Sequence, residues 1–328
     1  MSRISTLNLF YEEPDPDRWL PFDRYPRGLI RRVIRGPKRP GGQMLVFLNL
    51  CKGLDRLGAK YRVNDYGYIN KHSDELACII GKPFVLDKIK WKNPILLGAS
   101  VYSHPVDDLN LLMRFDVRKI LVPGPWMEEM CKPYWGDTVS CWPVGIDTYQ
   151  WKPCADDNKN IDILLYDKVR WNHDYYQNQL LEPIRQRLID NKINFQEIRY
   201  GHYQENDFRE LLKRCKAMVF LCEHETQGIA YQQALSAGVP ILAWDRGGPW
   251  QDPAYYPDKV VFGPVTAVPY WDERCGDKFT DAADFEYKLD SFISAVNAGV
   301  YKPRDYILEN LTLEKCAARY LDFVNECR

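Results

Sequence analysis

Two short apolar runs on either side of a helical stretch constrain the fold of this chain more than any other feature. The first run is AMVFLC (217–222), the second is VPILAW (239–244), and the helical segment between them is broken at Gly238. Such runs are typical of buried strands, and a strand–helix–strand unit of this length favours parallel pairing. Glu225 lies where the first strand passes into the helix. In parallel sheets that position binds ligands, and the amides at the helix N-terminus attract phosphate.

The same alternation continues through the rest of the second half. IDILLYD (161–167) and NFQEIRYG (194–201) predict strands. Helices are predicted between them and after them, with apolar residues at helical spacing. Those residues are Leu180, Leu181, Ile184, Leu188 and Ile189 in the first helix, and Phe208, Leu211, Leu212 and Cys215 in the second. This spacing favours a parallel doubly wound sheet.

The first half repeats the pattern more loosely. ISTLNLF (4–10) is a candidate first strand, and GGQMLVFLNLCKGLDRLGAKYRV (41–63) predicts a helix, a break at Gly58 and a strand. Three more apolar runs, bounded by Gly and Pro, are ELACIIG, NPILLGAS and KILVPG. At the other end of the chain, Thr312 precedes a last predicted helix as its capping residue. The chain of 328 residues suits two domains of roughly 150 residues each.

Charge and cysteine usage exclude several classes of protein. The net charge of −1 gives no global attraction to nucleic acid or membrane. None of the ten cysteines forms a CxxC pair or stands at zinc spacing with His, so we expect free thiols and no metal site. The apolar run near the N-terminus is too short for a signal peptide, and no run reaches the length of a membrane span. We expect a cytoplasmic protein.

The stretch 223–248, EHETQGIAYQQALSAGVPILAWDRGG, resembles the donor-sugar site of retaining glycosyltransferases of the family 4 type. That site has two Glu residues separated by seven others, a Gly three residues after the first Glu, and a strand ending in Gly-Gly. Glu225, Gly228 and the pair Gly247-Gly248 fit this pattern. The second Glu does not fit, because Gln233 stands there.

The resemblance extends to the segment that joins two domains in that family. VSCWPVGIDTYQWKP (139–153) has Gly145, Asp147, Trp151 and Pro153 in common with it, whereas Val144 replaces an Asn. The implied fold is α/β of the GT-B type, with two Rossmann-like, doubly wound parallel-sheet domains facing each other across a cleft. We place the acceptor-side domain at 1–153 and the donor domain at 154–305. The last helix, 306–328, is expected to cross back to the first domain.

The resemblance implies a retaining transfer of a sugar from a nucleotide-diphosphate sugar to a hydroxyl of a glycan or a lipid-linked acceptor. It implies no metal and no cofactor beyond the nucleotide sugar. Because no carboxylate nucleophile is assigned, retention would follow a front-face route with the leaving phosphate as base. Two alternatives stay open: a non-catalytic module that binds a nucleotide sugar, suggested by Gln233, and a nucleotide-sugar epimerase or phosphorylase of the same fold.

The resemblance assigns site residues at the motif itself. Glu225 would contact hydroxyls of the donor sugar as a catalytic residue, and the amides of Gln227, Gly228 and Ile229 would bind phosphate. Gln233 would bond the ribose, since an amide both accepts and donates. The alternatives are that Glu225 is favoured only by the helix dipole and that Gln233 is a surface residue.

Further candidates lie outside the motif. Lys168 and Arg170, just after the predicted strand 161–167, would neutralise the diphosphate, with Arg246 as a weaker candidate; the alternative is solvated loop cations. Gly41 and Gly42 would face Glu225 across the cleft, or form only a turn. His104 would lie near the donor sugar as a second catalytic residue, or be structural. We expect His224 to point away from the site because it is adjacent to Glu225.

Three segments lack a decisive pattern. Asp15-Pro16-Asp17 matches the Asp-x-Asp metal signature of another glycosyltransferase fold, but its surroundings favour a loop. Residues 24–39 form a cationic amphipathic stretch that predicts peripheral contact with the anionic inner face of a membrane, or else a solvated face on a core helix. RNA binding has less support, and we expect no nucleic-acid partner. VPYWDERCG (268–276) would line the cleft or pack the domain.

Overall fold

The structure, a computed structural model, describes residues 6–13, 41–99, 101–154 and 159–328. The Asp15-Pro16-Asp17 triplet and the cationic stretch 24–39 lie outside these ranges. Within the ranges, no helix has both the length and the apolar character that a bilayer span requires.

Six parallel strands form the first sheet, in the order β2-β1-β3-β4-β5-β6. The strands are β1 (Leu7–Phe10), β2 (Tyr61–Val63), β3 (Ala77–Ile79), β4 (Ile95–Gly98), β5 (Val117–Val122) and β6 (Val139–Cys141). The helices of this part of the chain are Gly42–Arg56, Tyr66–Ile69, Leu111–Arg114 and Pro125–Trp135, with 3₁₀ turns at Pro83–Asp87, Pro105–Asp107 and Gly136–Thr138. Each apolar run predicted here overlaps an observed strand, although β5 begins two residues before the run KILVPG.

Five parallel strands form the second sheet, in the order β11-β10-β9-β7-β8. The strands are β7 (Ile161–Asp167), β8 (Phe195–Arg199), β9 (Cys215–Leu221), β10 (Ile241–Trp244) and β11 (Gly276–Phe279). The helices are His173–Tyr176, Glu182–Asp190, Glu205–Arg214, Ile229–Ser236, Ala282–Asn297, Pro303–Asn310 and Leu313–Glu326, with a π-turn at Gln177–Leu181.

Both sheets are buried on their two faces, which explains why the strands read as continuous apolar runs. In β9, Met218 and Phe220 join one apolar core while Val219 and Leu221 join another, because successive side chains point to opposite faces. The first sheet likewise separates two cores. The expected α/β architecture of two doubly wound parallel sheets is confirmed.

Two details of the predicted helices differ from the structure. Ile189 was placed on the apolar face of its helix, but 56% of its surface is exposed. The π-turn Gln177–Leu181 precedes this helix and shifts the angular position of later residues, so a uniform helical period fails here. Cys215 was assigned to the second helix, whereas it is the first residue of β9 and is fully buried.

The last helix, Leu313–Glu326, packs against the helix Gly42–Arg56 of the first half. Its Ala317, Tyr320 and Val324 share a core with Leu50 and Leu54. The observed cap matches the predicted one, since the Thr312 hydroxyl accepts from the backbone N–H of Lys315 at 3.2 Å.

A second segment also returns to the first half. Between β10 and β11 the chain leaves the second sheet, and Trp250, Val260 and Val265 pack into a core of the first sheet. The Tyr255 hydroxyl bonds the carboxylate of Asp107 at 2.8 Å. Part of the predicted second domain, 154–305, therefore packs against the predicted first domain, 1–153. No pattern in the sequence had suggested this contact.

Candidate functional site

A cleft of about 550 Å³ lies between the two halves and is lined by residues of both. On its second-half side are the loops that follow β7 and β9. These two strands are neighbours in the sheet although another strand lies between them in the chain, so the strand order reverses there. Ligands of open parallel sheets bind at such a reversal, outside the carboxyl ends of the strands.

Lys168 and Glu225 meet at this point. The ammonium group of Lys168 forms an ion pair with Oε1 of Glu225 and lies 4.6 Å from the centre of the Tyr200 ring. The two side chains are only 12% and 10% exposed. Burial lowers the pKa of Lys168, but the neighbouring Glu225 carboxylate raises it by more, so the net shift of the pKa is upward. Lys168 is thus held as a cation in the cleft.

Gly228 gives the motif its turn into the helix Ile229–Ser236. Its φ of +84° lies in the left-handed region, and a Cβ there would come within 2.0 Å of the Tyr231 ring. Gln227, Gly228 and Ile229 all line the cleft. The first amides of a helix have no partner within it, so this turn presents N–H groups to an anion.

The side chain of Gln227 does not face a ligand as its backbone N–H does, but bonds other residues of the protein. It donates to the backbone O of Val144 at 2.7 Å and to Oε1 of Gln232 at 3.0 Å, and its own Oε1 accepts from the N–H of Val144 at 3.0 Å. These bonds join the motif to the segment that links the two halves.

Gln233 lies on the next turn of the helix and also lines the cleft. It is 7% exposed, and its side chain makes no hydrogen bond to any other described residue. Its side-chain amide is therefore available to a ligand, both in an active transferase and in a non-catalytic binding module.

Arg170 and Trp171 line the cleft beside Lys168. Their loop is held by Glu223, whose carboxylate accepts from the backbone N–H of Arg170 at 2.9 Å and from that of Trp171 at 2.7 Å. Sequence reasoning missed Glu223, although a buried acid between a strand and a ligand-binding loop was a usable signal. Arg246 is not among the residues that line the cleft.

The expectation that His224 points away from the site was wrong. The residue lines the cleft and is 8% exposed, and its ring packs against those of Trp126 and Trp171, two other residues of the lining. Because β9 ends at Leu221, the alternation of side chains in a strand no longer applies at residues 224 and 225. Burial lowers the pKa of His224 to about 3, and the cations Arg170, Arg246 and Lys168 act in the same direction.

His104, by contrast, is not brought to the cleft. It is 2% exposed, its Nδ1 accepts from the backbone N–H of Val106 at 3.1 Å, and its ring stacks on Trp250 at 6.1 Å between centroids. Its neighbours Tyr102 and Ser103 line the cleft instead. The structure therefore gives His104 the role of a cap on the turn Pro105–Asp107.

The first-half wall includes Gly41 and Gly42, and among the described residues no atom lies within 4 Å of where a Cβ on either glycine would be. The β5–helix junction also contacts the second half directly. The indole N–H of Trp126 donates to the backbone O of Glu225 at 2.7 Å, and a Cβ on Gly124 would lie 2.0 Å from the backbone O of Thr226. No sequence pattern had indicated Trp126, since 99 residues separate it from its partner.

The site thus combines two cations, a buried carboxylate and a helix N-terminus around one cleft. Cations and helix amides suit a diphosphate, and carboxylate and amide oxygens suit sugar hydroxyls. Within the described ranges, no group of three or more His, Cys, Asp or Glu side chains is arranged to hold a metal ion.

Comparison with known proteins bears on both the motif and the fold. Residues 174–251 match the family described as "Glycosyl transferases group 1". A comparison with curated proteins gives no significant match.

Among solved structures, sucrose-phosphate synthase from Thermosynechococcus elongatus is similar, with a TM-score of 0.60 at 12% identity over 98% of this chain and 99% of that one. The lipopolysaccharide outer core galactosyltransferase WaaB gives 0.57 at 10% identity, over 98% and 99%. WaaG, a glycosyltransferase involved in lipopolysaccharide biosynthesis, gives 0.53 at 11% identity, over 97% and 99%. At such identities the likeness is one of fold. The resemblance to group 1 glycosyltransferases is thereby confirmed for residues 174–251, and the solved structures show that the fold is of the GT-B type.

Proposed function

We propose that this protein is a retaining glycosyltransferase that moves a sugar from a nucleotide-diphosphate sugar to a hydroxyl acceptor. The observation that carries the proposal is the buried pair of Lys168 and Glu225 between β7 and β9, next to the turn at Gly228. A cation, a carboxylate and free helix amides converge there on one cleft. This combination serves the diphosphate and the hydroxyls of a nucleotide sugar at the same time.

In this proposal Lys168 and Arg170 neutralise the diphosphate together with the amides of 227–229. Their charge stabilises the leaving group as the bond to the sugar breaks, which is the largest contribution such a site offers. Gln233 bonds the ribose and Glu225 holds hydroxyls of the sugar. The transfer needs no metal ion, and we expect EDTA to leave its rate unchanged.

Retention of configuration follows from a front-face route. The acceptor hydroxyl approaches from the side on which the diphosphate leaves, and a phosphate oxygen takes its proton. On the acceptor side of the cleft, no atom of the described residues lies close to the Cα hydrogens of Gly41 and Gly42, which leaves room for this approach. We propose a glycan or a lipid-linked acceptor, used in the cytoplasm, with residues 24–39 as the segment that contacts an anionic membrane.

A panel of UDP-, GDP-, ADP- and dTDP-sugars tests the donor class by thermal shift. A ligand at 100 times its Kd stabilises a protein by about 2.7 kcal/mol, so the right donor gives a clear shift. Release of the nucleoside diphosphate then measures turnover. We expect Glu225→Ala to lower turnover by about 100-fold or more, by analogy with the loss of other groups that hold the transition state.

Glu129→Ala is the matched control, because Glu129 is exposed and does not line the cleft. Unchanged turnover in Glu225→Ala would refute the catalytic role. Binding of a nucleotide sugar without turnover would favour the non-catalytic binding module, which Gln233 suggests. If no donor gave a thermal shift, both the glycosyltransferase and the non-catalytic binding module would be refuted.

A further inference from the structure

The imidazole of His224 makes no hydrogen bond to any of the described residues. Its Nδ1 is buried with no hydrogen bond, and no described residue bonds its Nε2. The residue is 8% exposed and lines the cleft next to Glu225. A buried polar group left unpaired destabilises a protein, so most such groups have a partner, and the exceptions call for an explanation.

The ring is held in place by two indoles, one from each half. The Trp126 ring meets it edge-on, with centroids 5.6 Å apart, and the Trp171 ring lies 4.8 Å away at 34°. The Trp126 indole is fixed by its N–H bond to the backbone O of Glu225, and the backbone that carries Trp171 is held by Glu223. Packing alone would be served equally well by a phenyl ring. A fixed imidazole with free nitrogens therefore indicates a ligand.

The chemistry of the ring narrows the ligand. Burial lowers the pKa of the imidazole, with Arg170, Arg246 and Lys168 acting in the same direction, so the ring stays neutral and has one N–H donor and one acceptor nitrogen. A hydroxyl suits either nitrogen, because it can accept from the N–H or donate to the nitrogen without a proton. Phosphate oxygens are matched better by Lys168 and Arg170, which also line the cleft.

The geometry points to His224 as the group that bonds a hydroxyl of the transferred sugar and so takes part in the choice of donor. This inference rests on the proposed function, since it needs a sugar in the cleft. It adds a residue that neither the motif nor the resemblance assigned. The role is one of binding and specificity, because His224 is held neutral beside the carboxylate that meets the same sugar.

The test compares each nucleotide sugar with its own nucleoside diphosphate in wild type and in His224→Phe. Phenylalanine keeps the ring between the two indoles and removes both nitrogens. We expect the Kd of the bound nucleotide sugar to rise roughly 10-fold, as for the loss of one buried hydrogen bond, with the Kd of UDP, GDP, ADP or dTDP unchanged. Donors that lack one hydroxyl each then identify the contact. For one of these deoxy donors, the Kd for wild type should be higher than that of the complete donor. For His224→Phe, the Kd values of the deoxy donor and of the complete donor should be equal.

His202→Phe is the matched control, since His202 is exposed and does not line the cleft. Thermal unfolding shows whether the variants are folded. An equal loss of affinity for sugar nucleotide and diphosphate would overturn the inference, because the ring would then only support the cleft. Unchanged affinities for both would overturn it too. If wild type binds no sugar nucleotide at all, the proposed function fails and this inference with it.

Discussion

Lys168 and Glu225 keep only 12% and 10% of their side chains exposed, so each is the other's ion-pair partner in a place with little water. Removing one partner of a buried pair leaves an uncompensated charge and destabilises by about 3–5 kcal/mol. We expect this loss in Lys168→Met, and the double variant Lys168→Met/Glu225→Leu should lose less than the two single variants together. Urea unfolding of all four proteins measures the coupling.

The exposed pair Lys216–Asp162 is the control for this cycle. Its side chains are 44% and 39% exposed, and Lys216→Met should lower the free energy of unfolding by less than about 1 kcal/mol. Additive losses at 168 and 225 would contradict the assignment of the pair as buried and coupled.

His224 makes the stability of the folded protein depend on pH in a defined window. The unfolded chain protonates this residue near pH 6.5, whereas in the folded protein its pKa is about 3. As the pH falls from 6.5 toward 3, the unfolded state gains a proton that the folded state does not take up. The free energy of unfolding therefore falls by about 1.4 kcal/mol per pH unit from this residue, and its stabilising contribution is complete above pH 6.5.

His224→Phe lacks this titration. We expect it to gain stability relative to wild type by about 2–3 kcal/mol between pH 6 and pH 4, measured by urea unfolding of both proteins at each pH. The difference between the two proteins should be flat above pH 7. A difference that stays constant across the whole range would show that the ring is not held neutral, and His202→Phe gives the baseline for an exposed histidine.

At the level of single residues, the sequence predicted positions near strand ends better than orientations in loops. Glu225, Lys168 and Gly228 line the cleft because each follows a readable strand or opens a readable helix. His224 was misjudged because its loop has no period. Trp126 was missed because its hydrogen bond to Glu225 spans 99 residues of sequence, and no local pattern encodes such a pairing.

The helix Ile229–Ser236 begins at a residue that only glycine suits. Gly228→Ala would place a Cβ within 2.0 Å of the Tyr231 ring in addition to the strain of a φ of +84°. We expect a loss of about 2–4 kcal/mol in stability and weaker donor binding, because the amides of the helix start would shift. Urea unfolding and the thermal shift with the donor measure the two effects.

Gly299→Ala separates strain from collision. Gly299 has a φ of +65° and no atom within 4 Å of the position of a Cβ, so that variant carries only the backbone strain of about 1 kcal/mol. Similar losses in the two variants would show that contact with Tyr231 is relieved without consequence for the helix.

At the level of elements, the buried parallel strands were predictable and the irregular segments were not. A strand covered on both faces is apolar throughout, so β7, β9 and β10 could be read directly. The segment 268–276 gave no decisive pattern, and in the structure the Tyr270 hydroxyl bonds the backbone O of Pro123 at 2.7 Å in the first half. Aromatic residues without a period pack in ways that depend on the distant partner.

At the level of the whole molecule, the halves are joined by the linker, by the last helix and by the return segment between β10 and β11. Trp250 is 4% exposed although it lies in a loop. We expect Trp250→Ala to cost about 3–5 kcal/mol, as for a large core residue, and to loosen the cleft that Trp250 lines. Val261→Ala, at a residue 74% exposed in the same segment, should change the free energy of urea unfolding by less than about 0.5 kcal/mol. A small effect of Trp250→Ala would show that the packing of the return segment against the first half contributes little to stability.

The packing of the last helix bears on the order in which the halves fold during synthesis. The strands of the first sheet are complete at Cys141, but its cores also need Trp250, Val265 and Tyr320. A ribosome that adds about 5–20 residues per second leaves those apolar faces uncovered for roughly 10 to 40 s. The second sheet contains no strand from the first half, so its strands are all available earlier than the final helix. The N-terminal half of this protein, although synthesised first, therefore completes its cores only after the last helix has been made.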